Sequence, residues 1–206
     1  WEDLTHFEGN ANAFRLLTHQ FEGRRKGGFV MTYSTLASIV KYPFSSQLAG
    51  KKQKFGFFTT EADAYKRIAD ELGIIRLSPL NEPPRYARYP LVYLVEAADD
   101  ICYQVMDIED AHKLKILTTE ETKSLFLGFI EEKKKEHIEQ ICQIVTDTNE
   151  QIAYLRSIVI GILVKACTQV FLNNELDILN GTFNGTLIKH IPQPLQQAYD
   201  CCTDTA

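Results

Sequence analysis

The chain has 206 residues, a formal net charge of −5 and an apolar content of 45%. A chain of this size and composition folds as one or two globular domains with a substantial apolar core. The acidic balance excludes a generally basic nucleic-acid coat, and an aromatic content of 11% argues against an intrinsically disordered chain.

Apolar residues recur with the 3.6-residue period of a helix along almost the whole chain. Capping-box patterns at 60–63 and 118–121 predict two helix starts, and a charged, solvated face is expected over 131–136. Since no segment alternates with the period of a strand, the predicted fold class is all-α. In chain order we predict helices over 7–20, 32–41, 60–72, 90–107, 119–129 and 147–176, with shorter helical pieces over 186–190 and 194–199.

The most apolar run, residues 157–172, is shorter than the roughly 20 residues that span a bilayer, and Lys165 interrupts it. We therefore expect a buried core helix there and no membrane association. The five cysteines are odd in number and contain no metal-type CxxC pair. The first three (Cys102, Cys142 and Cys167) are expected on apolar helical faces as small hydrophobic residues, which predicts a reducing, cytoplasmic setting.

The helix predicted after Pro90 carries three polar side chains at i, i+4 and i+8, namely Asp99, Tyr103 and Asp107. On a helix this spacing keeps them within an arc of about 80° and spreads them over roughly 12 Å along the axis. Such a face offers a metal-binding carboxylate, an aromatic hydroxyl and a hydrogen-bond acceptor to an extended phosphorylated ligand. The alternative is a half-exposed helix whose carboxylates simply face water.

The string over 96–103 followed by 107–111 resembles the last metal-binding helix of bacterial deoxyguanosine triphosphate triphosphohydrolases (dGTPases), which belong to the HD-domain phosphohydrolases. The resemblance extends over 7–111, where further strings occur in the family's order. It continues more weakly through 154–156 and 178–182. The further strings are Phe-Glu-Gly-Asn-Ala at 7–11, Lys-Tyr-Pro at 41–43 and Lys-Phe-Gly-Phe-Phe at 54–58.

The resemblance implies a partial HD-domain-like helical bundle with a C-terminal helical extension. It implies a nucleotide- and metal-binding region over 1–117 and a C-terminal helical region over 118–206, packed as one body. The implied reaction is hydrolysis of a deoxynucleoside triphosphate (dNTP), with dGTP favoured, to deoxynucleoside and intact triphosphate.

Residue by residue, the resemblance implies a cation site, a sugar site and a triphosphate site. Asp99 would be the final carboxylate ligand of a divalent metal, Mg²⁺ or Mn²⁺. Tyr103 and Asp107 would face the deoxyribose, with Asp107 accepting a hydrogen bond from the 3′-hydroxyl and Tyr103 excluding a 2′-hydroxyl. The residues implied to contact the triphosphate are Asn10, Lys41, Tyr42 and Lys54.

Each of these assignments has a structural alternative. Asn10 could bond within its own helix, and Lys41 could be favoured because it follows a helix C-terminus. Tyr42 could be a packing residue. The lysines at 51, 52 and 54 could form a solvated loop, and the basic connector at 24–26 is expected to be a surface feature rather than an interface.

The chain departs from the family pattern in several places. Asn12 stands where the family has glutamine, and the connector over 24–28 is longer. The chain lacks the His…His-Asp signature, and it also lacks the histidine and glutamate of the hydrolytic step. We therefore assign no catalytic residue in this chain. In the family these residues lie upstream of the 7–11 string, so we expect that the chain lacks an N-terminal portion. The histidines, none of which we assign to metal, are His6, His19, His112, His137 and His190.

Three functional hypotheses follow from the sequence. The first is a triphosphohydrolase that needs residues outside these 206, because a single carboxylate does not hold a catalytic metal. The second is a nucleotide-binding module without hydrolysis. The third is an oligomerisation module in which residues 152–172 pack against a partner. A homo-oligomer is expected, and the sequence does not support single-stranded DNA as a partner.

Overall fold

The computed structural model describes residues 2–26, 28–51 and 53–205, without the side chain of Glu2. Trp1, Gly27 of the basic connector and Lys52 of the lysine-bearing loop lie outside the described residues. Within the described ranges there is no strand, only three isolated bridges, so the predicted all-α class is confirmed. The α-helices are α1 Glu2–Thr5, α2 Gly9–Thr18, α3 Tyr33–Ser38, α4 Ala62–Leu72, α5 Pro90–Lys113, α6 Thr119–Leu127, α7 Glu132–Ile144, α8 Thr148–Asn173, α9 Glu175–Leu179 and α10 Gln193–Thr205.

The chain divides into two compact units. The first contains the chain up to Val95 together with Asn174–Asn184, and the second contains Glu96–Asn173 and the residues from Gly185 onward. The division falls within α5, which contributes its first turns to one unit and the remainder to the other. These packing units do not test the functional division at residue 117, which stays a prediction.

An aromatic cluster forms the core of the first unit. Tyr65 of α4 stacks on Phe57, with ring centroids 4.7 Å apart, and meets Phe14 of α2 edge-on at 5.8 Å. All three side chains are fully buried. Because α3 also packs against α4, this cluster holds α2, α3, α4 and the 55–58 segment around one core.

The two predicted capping boxes have different outcomes. At α6 the box is confirmed, because Thr118 accepts from the Glu121 N–H and the Glu121 carboxylate accepts from the Thr118 N–H. At α4 the predicted box is wrong. The chain enters that helix through a 3₁₀ turn, Thr59–Glu61, and Glu61 makes no side-chain cap.

The second unit is organised around α8, against which α6 packs. The buried positions of α8 recur every three or four residues and form one face, as a helix with a single apolar contact face requires. The prediction of a core helix therefore holds for that face, whereas Val164 and Leu172 on the remaining surface are about half exposed. The buried positions are Gln151, Ile152, Leu155, Val159, Leu163, Cys167 and Val170.

The apolar run at 157–172 lies inside a helix of 26 residues, so the argument that it is too short for a bilayer does not hold. Among the described helices, α8 is the one whose length and composition would suffice to cross a membrane. A helix that packs one face in a protein core passes the same test, so this property is weak evidence of a membrane segment.

Among the described residues, three helices were not predicted as separate elements: α1, α7 and α9. The charged stretch 131–136 opens α7, whose mostly charged first turns conceal the later buried residues Ile138 and Cys142. The long helix α5 also continues six residues beyond its predicted end at Asp107.

The cysteines fall into two classes. Cys142, Cys167 and Cys202 are buried, whereas Cys102 and Cys201 are exposed, so the expectation of an apolar environment is wrong for Cys102. Burial raises the pKa of the Cys167 thiol to about 11 and that of Cys202 to about 11. All five thiols are free.

A buried carboxylate links α5 to α8 within the second unit. Glu109 is paired with Arg156, and its other oxygen lies 2.9 Å from the Lys113 Nζ. Partial burial alone would raise the Glu109 pKa, but hydrogen bonds from Lys113 and Arg156 outweigh it and hold the pKa below 4.5. The charged form of Glu109 is therefore favoured by folding.

We expect Glu109→Gln to lower the free energy of unfolding at pH 7 by about 1–3 kcal/mol, because it removes charged hydrogen bonds from a buried site. Since the folded pKa is lowered, this contribution is complete above the unfolded carboxyl pKa and is lost as the pH falls through the folded value. Chemical denaturation should therefore show a wild-type advantage at pH 7 that shrinks at pH 3.

Glu131→Gln is the matched control, because Glu131 is exposed and pairs with Lys133 and Lys134 at the surface. Its effect on unfolding should be small at both pH values. An equal loss in both variants would contradict the role given to Glu109.

Candidate functional site

The candidate residues fall into two groups, one in each packing unit. The triphosphate candidates (Asn10, Lys41, Tyr42 and Lys54) belong to the first unit, and the metal and sugar candidates (Asp99, Tyr103 and Asp107) belong to the second.

Two lysines that are distant in sequence lie near the ring of Tyr42. The Lys41 Nζ is 5.9 Å from the centroid of the Tyr42 ring, and the Lys54 Nζ is 6.0 Å from the same centroid. Both distances are within the range of cation–π attraction. The fold thus brings together the 41–43 and 54–58 motifs and concentrates two positive charges at one aromatic ring.

Glu8 connects this pair of lysines to α2. Its carboxylate caps the helix by accepting from the main-chain N–H groups of Asn10 at 2.7 Å and Ala11 at 3.1 Å. The other carboxylate oxygen lies 3.5 Å from the Lys54 Nζ. Glu8 is buried, so one carboxylate fixes both the start of α2 and the position of Lys54.

A glycine lets the 54–58 segment pass beneath Tyr42. A Cβ on Gly56 would lie 2.2 Å from the Tyr42 carbonyl oxygen and 2.5 Å from the Val40 Cγ1. The Gly56 N–H donates to the Phe44 carbonyl at 3.0 Å. This close main-chain approach places Lys54 beside Tyr42.

In the second unit, Asp99, Tyr103 and Asp107 share one face of α5, as their spacing predicts, and all three are exposed. Tyr103 retains 66% of its accessible surface, and its neighbours Cys102 and Met106 are exposed too. The α5 face is therefore open to solvent within this chain. In this chain by itself, that exposure agrees with the alternative in which the carboxylates of the helix simply face water. The metal- and sugar-binding roles of the three residues stay predictions.

The donor set on this face does not make a metal centre. Among the described residues, no group of three His, Cys, Asp or Glu side chains is close enough to hold a metal ion. Asp99 alone supplies one carboxylate, whereas catalytic centres use about three protein ligands. The described residues therefore do not fit a complete divalent-metal site.

The sequence reasoning missed Glu8 and Gly56. Glu8 lies in the family-like string at 7–11 and Gly56 in the one at 54–58, but the sequence assigned neither residue a role. The glutamate immediately before a helix start was the available signal for a cap, whereas the need for glycine at 56 depends on a contact across fourteen residues that no local pattern records.

Together the fold and the lysine pair give an all-α protein with two positive side chains at one aromatic ring. No protein-family model matches the chain. A deoxyguanosinetriphosphate triphosphohydrolase-like protein of Pseudomonas aeruginosa is 36% identical over 93% of this chain and 43% of its own length. A protein of the same name from Synechocystis sp. is 36% identical over 91% of this chain, and a deoxyguanosinetriphosphate triphosphohydrolase of Yersinia enterocolitica is 28% identical over 91%.

The chain is therefore a homologue of proteins named deoxyguanosinetriphosphate triphosphohydrolase-like, as the ordered motifs predicted. It spans less than half the length of the curated relatives that it matches.

We expect Gly56→Ala to destabilise the protein by about 1–3 kcal/mol, because the added methyl group would force apart the main chains at Tyr42 and Gly56. The matched control is Gly161→Ala in α8, where a Cβ meets nothing within 4 Å. That variant should gain about 0.5–1 kcal/mol through helix propensity. Thermal and chemical unfolding of the two variants should give shifts of opposite sign, and shifts of the same sign would contradict the close approach.

Proposed function

We propose that this protein is a dNTP triphosphohydrolase that cleaves dGTP, or dNTPs in general, to deoxynucleoside and intact triphosphate. The observation that carries the proposal is the convergence of Lys41, Tyr42 and Lys54, from two separated family motifs, into one cationic cluster. The bond broken would join the 5′ oxygen of the sugar to the α-phosphorus.

In this proposal water adds to the α-phosphorus and the deoxynucleoside leaves through its 5′ oxygen, while the ammonium groups of Lys41 and Lys54 bind the triphosphate and stabilise the negative charge on its oxygens in the transition state. Both ammonium groups lie about 6 Å from the Tyr42 ring, so one triphosphate could contact both of them. Asn10 lies in the first turn of the helix capped by Glu8, and that cap fixes the position from which Asn10 would contact the phosphates.

The face of α5 that carries Tyr103 and Asp107 would bind the sugar and distinguish deoxyribose from ribose. Asp107 would accept a hydrogen bond from the 3′-hydroxyl, and the Tyr103 ring would pack under C2′, where a ribonucleotide carries an additional hydroxyl. The exposure of both side chains leaves them accessible to a ligand. Tyr103 and Asp107 are separated by about one helical turn, or about 6 Å along the axis, which suits a single sugar.

Metal dependence stays part of the proposal and is carried by Asp99 alone in this chain. Because the donor set here is incomplete, the remaining ligands would have to come from residues other than those described. By themselves these 206 residues would then bind a nucleotide without hydrolysing it, which is the second candidate function, and the incomplete donor set is the observation that favours it.

Lys41→Ala should lower kcat/KM for dGTP by about 10²-fold or more in the full-length protein, since it removes a positive charge that would stabilise the triphosphate oxygens in the transition state. The assay is incubation with each dNTP and Mg²⁺ or Mn²⁺, followed by product analysis for tripolyphosphate. Lys66→Ala is the control, because Lys66 pairs with Asp70 on the surface of α4, and its kcat/KM should be unchanged. Release of pyrophosphate or orthophosphate instead of tripolyphosphate would refute the proposed reaction.

Tyr103→Ala should reduce discrimination between dGTP and GTP, because it removes the ring that would occupy the space of the 2′-hydroxyl. The measurement is the ratio of kcat/KM values for the two nucleotides, compared with that of Cys102→Ala on the next position of the same helix. An unchanged ratio would show that the sugar is recognised elsewhere.

The oligomer also stays a proposal, but its contact residues must be revised. Leu155 and Leu163 are fully buried in the second unit, so they are core residues rather than partner contacts. The α8 positions accessible to a second copy are the exposed ones, such as Val164 and Leu172.

A further inference from the structure

A small cavity of about 210 Å³ lies entirely within the first unit and shares Lys41 and Tyr42 with the candidate triphosphate site. We call it the arginine pocket, because Arg85 and Arg88 line it together with Lys41. Neither arginine was given a role by the sequence motifs.

Each positive side chain of the arginine pocket is held against an aromatic ring. The Arg85 Cζ lies 5.0 Å from the Phe44 centroid, and the Arg88 Cζ lies 4.3 Å from the Tyr93 centroid. A guanidinium that packs its face on a ring keeps its N–H donors around its edge. Stacking therefore restricts both guanidinium groups, and the edge of the exposed Arg85 remains accessible to a ligand.

The far wall of the pocket is fixed by close contacts. The Tyr93 hydroxyl donates to the Phe183 carbonyl at 3.1 Å, and the two rings meet edge-on at 5.4 Å. Gly181 adopts a φ of +70°, and a Cβ there would lie 2.6 Å from the Ala87 Cβ. The wall is thus formed before any ligand arrives, which lowers the entropic cost of binding.

The chemistry of the lining selects an anion. Among the described residues, the lining contains three positive side chains and no aspartate or glutamate. Its volume is below the roughly 300 Å³ at which pockets accept drug-sized ligands. A compact anion such as one phosphate group suits this charge and size, whereas a whole nucleoside does not.

We propose that the arginine pocket binds a phosphate group, as a continuation of the site formed by Lys41, Tyr42 and Lys54. The part of this inference that places the phosphate in a triphosphate chain rests on the proposed function. Two sources share the chemistry: the terminal phosphate of a bound triphosphate, and free orthophosphate.

The test is calorimetric titration of the 206-residue chain and its full-length protein with tripolyphosphate, orthophosphate and deoxyguanosine, without turnover. Arg85→Ala should raise the Kd of the phosphate-bearing ligand by about 10-fold, as expected for a lost charge-assisted contact. Arg85→Lys should restore part of the affinity. Arg67→Ala removes the same charge from the exposed face of α4, and its Kd should change by less than about twofold.

The ligands distinguish the two sources. If the terminal phosphate of a chain occupies the pocket, tripolyphosphate binds more tightly than orthophosphate and its affinity depends on both Arg85 and Lys54. If the occupant is free orthophosphate, its affinity depends on Arg85 but not on Lys54. The proposal is overturned if Arg85→Ala, with an unchanged thermal unfolding curve, binds both anions like the wild type, or if deoxyguanosine binding depends on Arg85.

The outcomes also separate this inference from the proposed function. Arg85-dependent phosphate binding without dNTP hydrolysis by the full-length protein would retain the pocket and reject the enzyme. Tripolyphosphate release that is lost in Lys41→Ala, combined with phosphate binding that is indifferent to Arg85, would retain the enzyme and reject the pocket.

Discussion

The contact between the main chains at Tyr42 and Gly56 is the constraint on which the first unit's candidate site depends. At that point no side chain fits between the two segments, so they can approach closely only because residue 56 is glycine. The approach places the Lys54 ammonium beside the same ring that Lys41 flanks. Two charges that would repel each other in an open chain are thereby kept together by packing in the neighbouring aromatic core.

One carboxylate and several cations set the electrostatics of this region. Glu8 is buried and pairs with Lys54, so it partly offsets the lysine's charge before any ligand is present. A polyphosphate arriving at the cluster would compete with Glu8 for that ammonium group. Because Glu8 also accepts two main-chain N–H bonds of α2, it keeps hydrogen-bond partners when Lys54 turns toward a ligand.

Local signals in the sequence predicted most of the helices and the sharing of one α5 face by Asp99, Tyr103 and Asp107, since both follow from helical periodicity. They did not predict α7, where a charged opening masks the buried Ile138. Nor could they predict the solvent exposure of Asp99, because burial depends on what covers a helix and not on the helix itself. The pairing of Glu109 with Arg156 likewise joins residues 47 apart, beyond the reach of any local pattern.

The five thiols differ in exposure, so the exposed ones can be labelled selectively. Cys102 is exposed and directly precedes Tyr103 in the sequence. Cys167 and Cys202 are buried, and because their pKa values are near 11 their thiols remain protonated at neutral pH. A maleimide dye would consequently label Cys102 and Cys201 and leave the core intact. After Cys201 is replaced by serine, a single fluorophore would sit within one residue of the proposed sugar-reading side chain and could report nucleotide occupancy directly.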